Sequence, residues 1–306
     1  ATTEIYTLSL HDALPICDFA VPAAPKREKT GFAAEVPPER IEWHEGFALP
    51  PTLPVRPVHA VVSVLRLIRN KEDTRQVFEV VQALAGGAGK RLFKKFVATP
   101  YGRRVVSEPV RLERLLSDRA RLRAMPEGSF GRAYLAFMEG ENLTPEGLLG
   151  AAAEAGVDYA CETQFEEYRR LFLHLSVSHD LWHVLTGYGR DALGELCNLA
   201  FTYQQTRNPG FRLIIAIGLL AQKREAMGAP LAKAVMEGRR MGKGADFILQ
   251  HDVEALLPLP LDEVRRRLGV ITPHAYNAVP AALKAGLLKP KVKETQAERE
   301  AKAIAA

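Results

Sequence analysis

Cysteine is scarce in this chain. Cys17, Cys161 and Cys197 are the three present in 306 residues, and they form neither a close pair nor a metal-type spacing. A disulfide framework and a thiolate zinc site are excluded, and a reducing compartment is expected. Long apolar runs are missing too. The longest, Leu213 to Ala221, is too short to cross a bilayer and follows Arg212, so no transmembrane helix is expected. Strand-type alternation is nearly absent, which points to an all-α class. A phosphate loop fails on inspection of Gly86-Gly87-Ala88-Gly89-Lys90: Leu84 stands where the first glycine belongs, and Arg91 where Ser or Thr would bind magnesium. No aromatic-interleaved RNA motif occurs, so nucleic acid is not an expected partner.

What is present suffices for a sizeable core, with 47% hydrophobic residues in a chain long enough for one large domain or two small ones. Ala1 to Ile16 reads as a translated high-throughput sequencing adapter fused to the frame, so its His11-Asp12 pair is not a site. Without the two carboxylates of that string, Glu4 and Asp12, the net charge rises from +5 to +7. Cys17 to Pro57 is a proline-rich leader, ordered near Trp43 and Phe47.

Val58 to Thr272 carries helical periodicity and is expected to form a single bundle-like domain. Val61, Val64, Leu65 and Ile68 mark one helix; Val77, Phe78, Val80, Val81 and Leu84 mark the next, stopped by Gly86-Gly87. Lys90 to Arg123 holds eleven basic residues against Glu108, Glu113 and Asp118. That field reads as a solvated face or a contact with an anionic membrane surface. Ser129 is a candidate cap for the helix through Phe130, Tyr134, Phe137 and Met138. Pro273 to Ala306 is a basic, alanine-rich tail whose last dozen residues should fray.

The chain is organised around His179-Asp180-Leu181-Trp182-His183. Apolar residues at Phe165, Tyr168, Leu171, Phe172 and Leu175 predict one helix running from Gln164 through Leu185. His179 and His183 then sit one turn apart on one face, with Asp180 bordering it. Gly187 and Gly189 break the helix, and Asp191 caps the next, which carries Glu195 one turn in. A short connection makes neighbours of the two helices, so Glu195 swings back toward the imidazoles. A single histidine on an apolar helix is by default a packed residue. Two histidines at this spacing with Asp180 and Glu195 are harder to obtain by accident, and suit a divalent metal, zinc first. A second pair, His251-Asp252, has Ala255 and Leu256 where a further ligand would stand and is read as structural. His174 points away from the His179 face, and Cys197 away from the Glu195 face.

These residues resemble those of the coenzyme Q (ubiquinone) biosynthesis protein 4 family. The likeness rests on His179-Asp180-x-x-His183, then eleven intervening residues, then Glu195. It rests also on Leu122-Arg123-Ala124-Met125-Pro126-Glu127-Gly128-Ser129-Phe130-Gly131-Arg132-Ala133-Tyr134, and on the closing segment from Leu261 to Val270. Leu173 to Ser178 departs from the Arg-Tyr-Arg-Glu-like text of members.

The resemblance implies a helical protein that works with other quinone-biosynthesis enzymes at a membrane surface. It would sit peripherally on the cytoplasmic side of a bacterial membrane or the matrix side of the mitochondrial inner membrane, as a homo-oligomer. It implies a metal held by His179, Asp180, His183 and Glu195. The chemistry implied is a lyase reaction: decarboxylation at ring carbon one of a polyprenylated hydroxybenzoate, alone or coupled to hydroxylation there. Asp180 and Glu195 are the candidates for delivering the proton. An apolar groove for the polyprenyl tail is expected along Phe130, Tyr134, Leu181, Trp182 and the helix from Phe211 to Leu220. A non-catalytic scaffold with a structural metal is the competing reading. A His-Asp phosphohydrolase is a weaker one, because it needs a further upstream histidine and a distant aspartate.

Overall fold

The computed structural model describes residues 31–70, 73–108 and 112–288. The adapter-like string, Cys17 and the last dozen residues lie outside them. The all-α expectation holds: seventeen α-helices and one small antiparallel ribbon make up the regular structure of the described residues, apart from three short 3-10 turns. The ribbon pairs β1 (Glu42–His44) with β2 (Phe47–Leu49), in the register Glu42↔Leu49 and Trp43↔Ala48. Its two-residue turn, Glu45-Gly46, has positive φ at both positions (50° and 87°), as the twist of a tight hairpin requires. Three residues per strand are too few for alternation to show in the sequence.

The helices in chain order begin with α1 (Pro57–Arg69), α2 (Thr74–Ala85), α3 (Ala88–Val97), α4 (Pro100–Ser107), α5 (Leu112–Ser117) and α6 (Arg119–Arg123). There follow α7 (Phe130–Gly140), α8 (Pro145–Glu154), α9 (Glu166–Val177), α10 (His179–Thr186), α11 (Ala192–Thr206) and α12 (Pro209–Glu225). The chain continues through α13 (Leu231–Gly244), α14 (Val253–Leu256), α15 (Leu261–Arg267), α16 (His274–Asn277) and α17 (Ala281–Gly286). Local chemistry sets several starts. The hydroxyl of Ser129 accepts from Arg132 N at the head of α7, and Asp191 accepts from Leu193 N and Gly194 N at the head of α11.

Helix α11 is the spine. Nearly every residue from Ala192 to Thr206 is buried, and α12 and α13 pack along it. The α11–α13 approach is close because Gly238 has no side chain: a Cβ there would lie 2.4 Å from the Cys197 carbonyl oxygen. Cys197 is buried with its thiol pushed well up by desolvation, a packing role only. Helix α2 packs on α1 and α12, α9 on α4, and α10 on α7. Part of the basic, alanine-rich tail is folded onto the domain, since α16 packs on α13 and α17 on α11.

The basic field between Lys90 and Arg123 is largely met by acids from distant segments. Lys90 and Lys94 share Glu42, Arg103 pairs with Glu45, Arg104 with Asp252, and Arg119 and Arg123 with Glu139. The solvated-face reading accounts for these six. Asp252 also caps α14, and His251 lies 3.3 Å from Asp246, so that second His-Asp pair is structural.

Candidate metal centre

The helix expected to run unbroken to Leu185 is divided at Ser178, whose hydroxyl donates to the His174 carbonyl. Both histidines fall on the second piece, so their one-turn spacing survives. Helix α10 is buried from Asp180 to Thr186 and ends at Gly187, which is left-handed with φ 76°. The turn 187–190 then returns the chain to α11. It can do so because Gly194 lacks a side chain: a Cβ there would stand 2.1 Å from the Gly189 carbonyl oxygen. Glu195 therefore sits in the first turn of α11, where the helix dipole favours a carboxylate.

These elements bring ligand atoms of His179, His183 and Glu195 within 4.8 Å of one another. Glu195 Oε2 lies 3.4 Å from His183 Nε2 and 4.0 Å from His179 Nε2. The imidazole centroids are 4.8 Å apart. Asp180, the fourth expected ligand, stands behind His179: its Oδ1 is 3.1 Å from the other ring nitrogen, Nδ1. That is the position of a carboxylate that orients a ligating histidine. Phe137 stacks on His183 at 5.7 Å and 16° and closes the site on that side.

The donor set fits a divalent cation. Nδ1 of His183 is 3.0 Å from the Tyr188 carbonyl oxygen, which can only accept, so Nδ1 carries the proton. Nε2 then presents a lone pair. It is buried and meets no hydrogen-bond partner, yet a carboxylate oxygen lies 3.4 Å away. Two electron-rich atoms that close call for a positive centre between them. Nitrogen and oxygen donors together suit zinc or another first-row dication.

Charge coupling runs through the cluster. Burial opposes protonation of His179, but the hydrogen bond to Asp180 and the charges of Asp180 and Glu195 outweigh it and raise the imidazole. Burial would raise Asp180, and the His179 hydrogen bond with the His179 and His183 charges reverses that, holding it below the usual carboxylate range. Glu195 is lowered against its own burial by the neighbouring His183 and then by His179.

Arg190, not singled out from the sequence, completes the rim. Its Nε is 3.9 Å from Glu195 Oε1 and its Nη1 3.9 Å from Glu141. Its only sequence signal is its place beside the capping Asp191. His174 packs on Phe96 and Tyr101 and is fully buried, away from the site as expected.

His179, Asp180 and Glu195 open onto one cavity of about 540 Å³, within the usual range for ligand pockets of about 300–1,000 Å³. Its walls are largely apolar, with Trp182, Leu199, Phe211, Ile214, Leu67 and Val77 among them. The groove expectation is right for Trp182 and the start of α12. It is wrong for Phe130 and Leu181, which line a separate void of about 20 Å³, and for Tyr134, buried in the core and lining neither. The contribution of α1 and α2 was not foreseen, because their inward residues read equally well as core.

Known proteins are similar to this chain. The bovine mitochondrial ubiquinone biosynthesis protein COQ4 homolog is 26% identical over 199 residues, 64% of this chain and 72% of that protein. The mitochondrial COQ4 protein of Pyricularia oryzae is 27% identical over 186 residues, 60% of this chain but 57% of the fungal one. A crystal structure from Nostoc punctiforme superposes with a TM-score of 0.52 at 17% identity, over 71% of this chain and all of the other, which shows a shared fold. The sequence profile of the coenzyme Q (ubiquinone) biosynthesis protein Coq4 matches residues 50–274, a stretch holding both helices of the centre. This chain belongs to the Coq4 family of ubiquinone biosynthesis proteins.

Proposed function

We propose that the chain is a metal-dependent lyase that removes the carboxyl group from ring carbon one of a polyprenylated hydroxybenzoate. The observation that carries this reading is the union of a three-ligand centre and a long apolar cavity. One end supplies nitrogen and oxygen donors, and the rest accepts a hydrocarbon tail. His179, His183 and Glu195 would hold the metal, with Asp180 as a further ligand or as the orienting partner of His179. A bound dication supplies Lewis acidity toward a carboxylate or phenolate. Zinc is the first choice.

In the reaction the bond between carboxyl and ring breaks, carbon dioxide leaves, and a proton takes its place on the ring carbon. Asp180 and Glu195 are the carboxylates we assign to proton handling. Asp180 is ionised at neutral pH, so it takes a proton from water or a ring hydroxyl before passing it on. Arg190 places a guanidinium at the rim of the same cavity, where it favours an anionic substrate. The apolar walls exclude water from the reacting carbon.

The scaffold reading calls for a closed site of four protein ligands. The side chains of His179 and Glu195 keep 30% and 33% exposure and face the cavity, which favours an open, catalytic centre. A phosphohydrolase would need an upstream histidine at the centre, and His174 is buried elsewhere. Its named relatives are mitochondrial proteins, and we place this one peripherally on the matrix side of the inner membrane, as a homo-oligomer among other quinone-biosynthesis enzymes.

The test is turnover. Purified protein loaded with zinc and given a polyprenylated hydroxybenzoate should release carbon dioxide, and chelation should stop it. Full activity in His183→Ala would refute catalysis at this centre. Elemental analysis of wild type against Glu195→Ala reports on the metal independently.

A further inference from the structure

Helix α1 is apolar on two faces, and only one of them is packed. Inward, Ala60, Val64 and Leu67 are buried or half-buried, and Val64, Leu67 and Ile68 line the cavity. Outward, Val58, Val61, Val62 and Leu65 recur at i, i+3, i+4 and i+7, the spacing of a single helical stripe. All four are exposed, from 78% at Val58 to 40% at Val62. Isolated exposed aliphatics need no explanation, but a continuous stripe of four does.

The charges on this helix are one-sided. Arg56, Arg66 and Arg69 flank or end the stripe, and α1 contains no acidic residue. Among the described residues none of these three arginines enters an ion pair. The contrast with the Lys90 to Arg123 field, where six cations are met by carboxylates, is direct. An aliphatic stripe edged by free arginines is the composition of a helix lying in the interface of an anionic bilayer. A second copy of the chain fits worse. A two-fold contact through this stripe would bring the arginines of one α1 toward those of the other.

We propose that the outer face of α1 is the surface by which this protein docks on an anionic phospholipid bilayer. The helix then separates the lipid phase from the apolar cavity, with one face in each. A ligand carrying a hydrocarbon tail passes from bilayer to cavity past α1 without crossing water. This surface does not depend on the decarboxylation reading, and the two are tested separately.

The experiment is flotation of the full-length, zinc-loaded protein with phosphatidylcholine vesicles, with and without phosphatidylglycerol. The expected result is binding to the mixed vesicles that weakens with salt. Arg66→Gln with Arg69→Gln leaves the stripe intact and should weaken binding by about fivefold per arginine at low salt. Val62→Glu with Leu65→Glu should abolish it, with circular dichroism and the thermal unfolding midpoint checking that the fold persists. Lys94→Gln with Arg103→Gln, in the paired basic field, should leave binding near wild type. Unchanged flotation of both α1 variants overturns the proposal, as does loss confined to the Lys94/Arg103 variant. A concentration-dependent rise in mass that only the Val62/Leu65 variant loses, without vesicle binding, also overturns it in favour of self-association.

Discussion

His174 sets a measurable acid sensitivity. Its side chain is buried, 1% exposed, and neither ring nitrogen meets a hydrogen-bond partner among the described residues. Burial pushes its pKa down from 6.5 to about 4. In the unfolded chain the imidazole takes up a proton below 6.5, while in the folded protein it resists until about 4. The unfolded state therefore binds more protons between those values, and stability falls as pH falls through that window. The loss is about 2 kcal/mol from pH 7.5 to pH 5 and about 3 kcal/mol by pH 4. His174→Leu removes the titration together with two unpaired polar atoms. It also gives up stacking on Phe96, and the void of about 20 Å³ that borders residue 174 gives the new side chain room. At pH 7.5 the two proteins should agree within about 1 kcal/mol. At pH 5 the variant should be the more stable by about 2 kcal/mol relative to that baseline. Urea denaturation of both metal-free proteins across the pH range is the assay. Parallel stability curves would mean that the folded protein solvates or hydrogen-bonds this ring, and the burial argument would fail.

Three further perturbations address the centre. Asp180→Asn removes the carboxylate that raises His179, so zinc affinity at pH 8 should drop about 10- to 100-fold in competition with a chelator. Gly194→Ala forces a methyl group to 2.1 Å from the Gly189 carbonyl oxygen, and should cost about 1–3 kcal/mol in denaturation together with zinc loading. Tyr276→Phe removes a hydroxyl that donates to Asp191 and accepts from Gly189 N, and should cost about 1–2 kcal/mol with weaker zinc binding.

The candidate site was legible because its parts are local. The His179–His183 spacing, the glycine break and the Asp191 cap all lie within seventeen residues, and each has a short-range physical reason. The first two helices were legible for the same reason, as period and stop signal coincide at Gly86-Gly87. What escaped depends on distant chain. The break at Ser178 is invisible in a periodicity that continues across it. The acids that meet the basic field, Glu42 and Asp252 among them, lie too far along the chain for spacing to reveal. Leu67 and Val77 on one hand, Phe130 and Tyr134 on the other, are equally apolar, and only tertiary packing decides which line a cavity. Asp180 was placed among the ligands because its position borders the right face. Its side chain meets the second nitrogen of its neighbour, a rotamer choice that the sequence does not encode.

The segment after α13 explains how two short helices hold donors at a common point. Helix α10 has only eight residues, and its last carbonyls have no partners within the helix. Arg265, on α15, donates from Nε to the Leu185 carbonyl at 2.9 Å and from Nη2 to that of Val184 at 3.0 Å. A cation at a helix C-terminus also opposes the dipole there. Eight residues later, Pro273 lies so close to Gly187 that a Cβ would be 3.2 Å from its ring. Tyr276 then ties Gly189 to Asp191, the cap of the Glu195 helix. Its own helix α16 is fixed by Glu237, whose carboxylate accepts from the backbone of Ala275 and Tyr276. The turn between the ligating helices is thus fastened at its start, middle and end by one downstream stretch. Ligands carried on rigid, cross-braced elements keep their separation when the metal leaves, whereas ligands on a free turn would drift apart. The spacing of His179, His183 and Glu195 states which atoms can meet, and residues 261–276 supply the reason that they do.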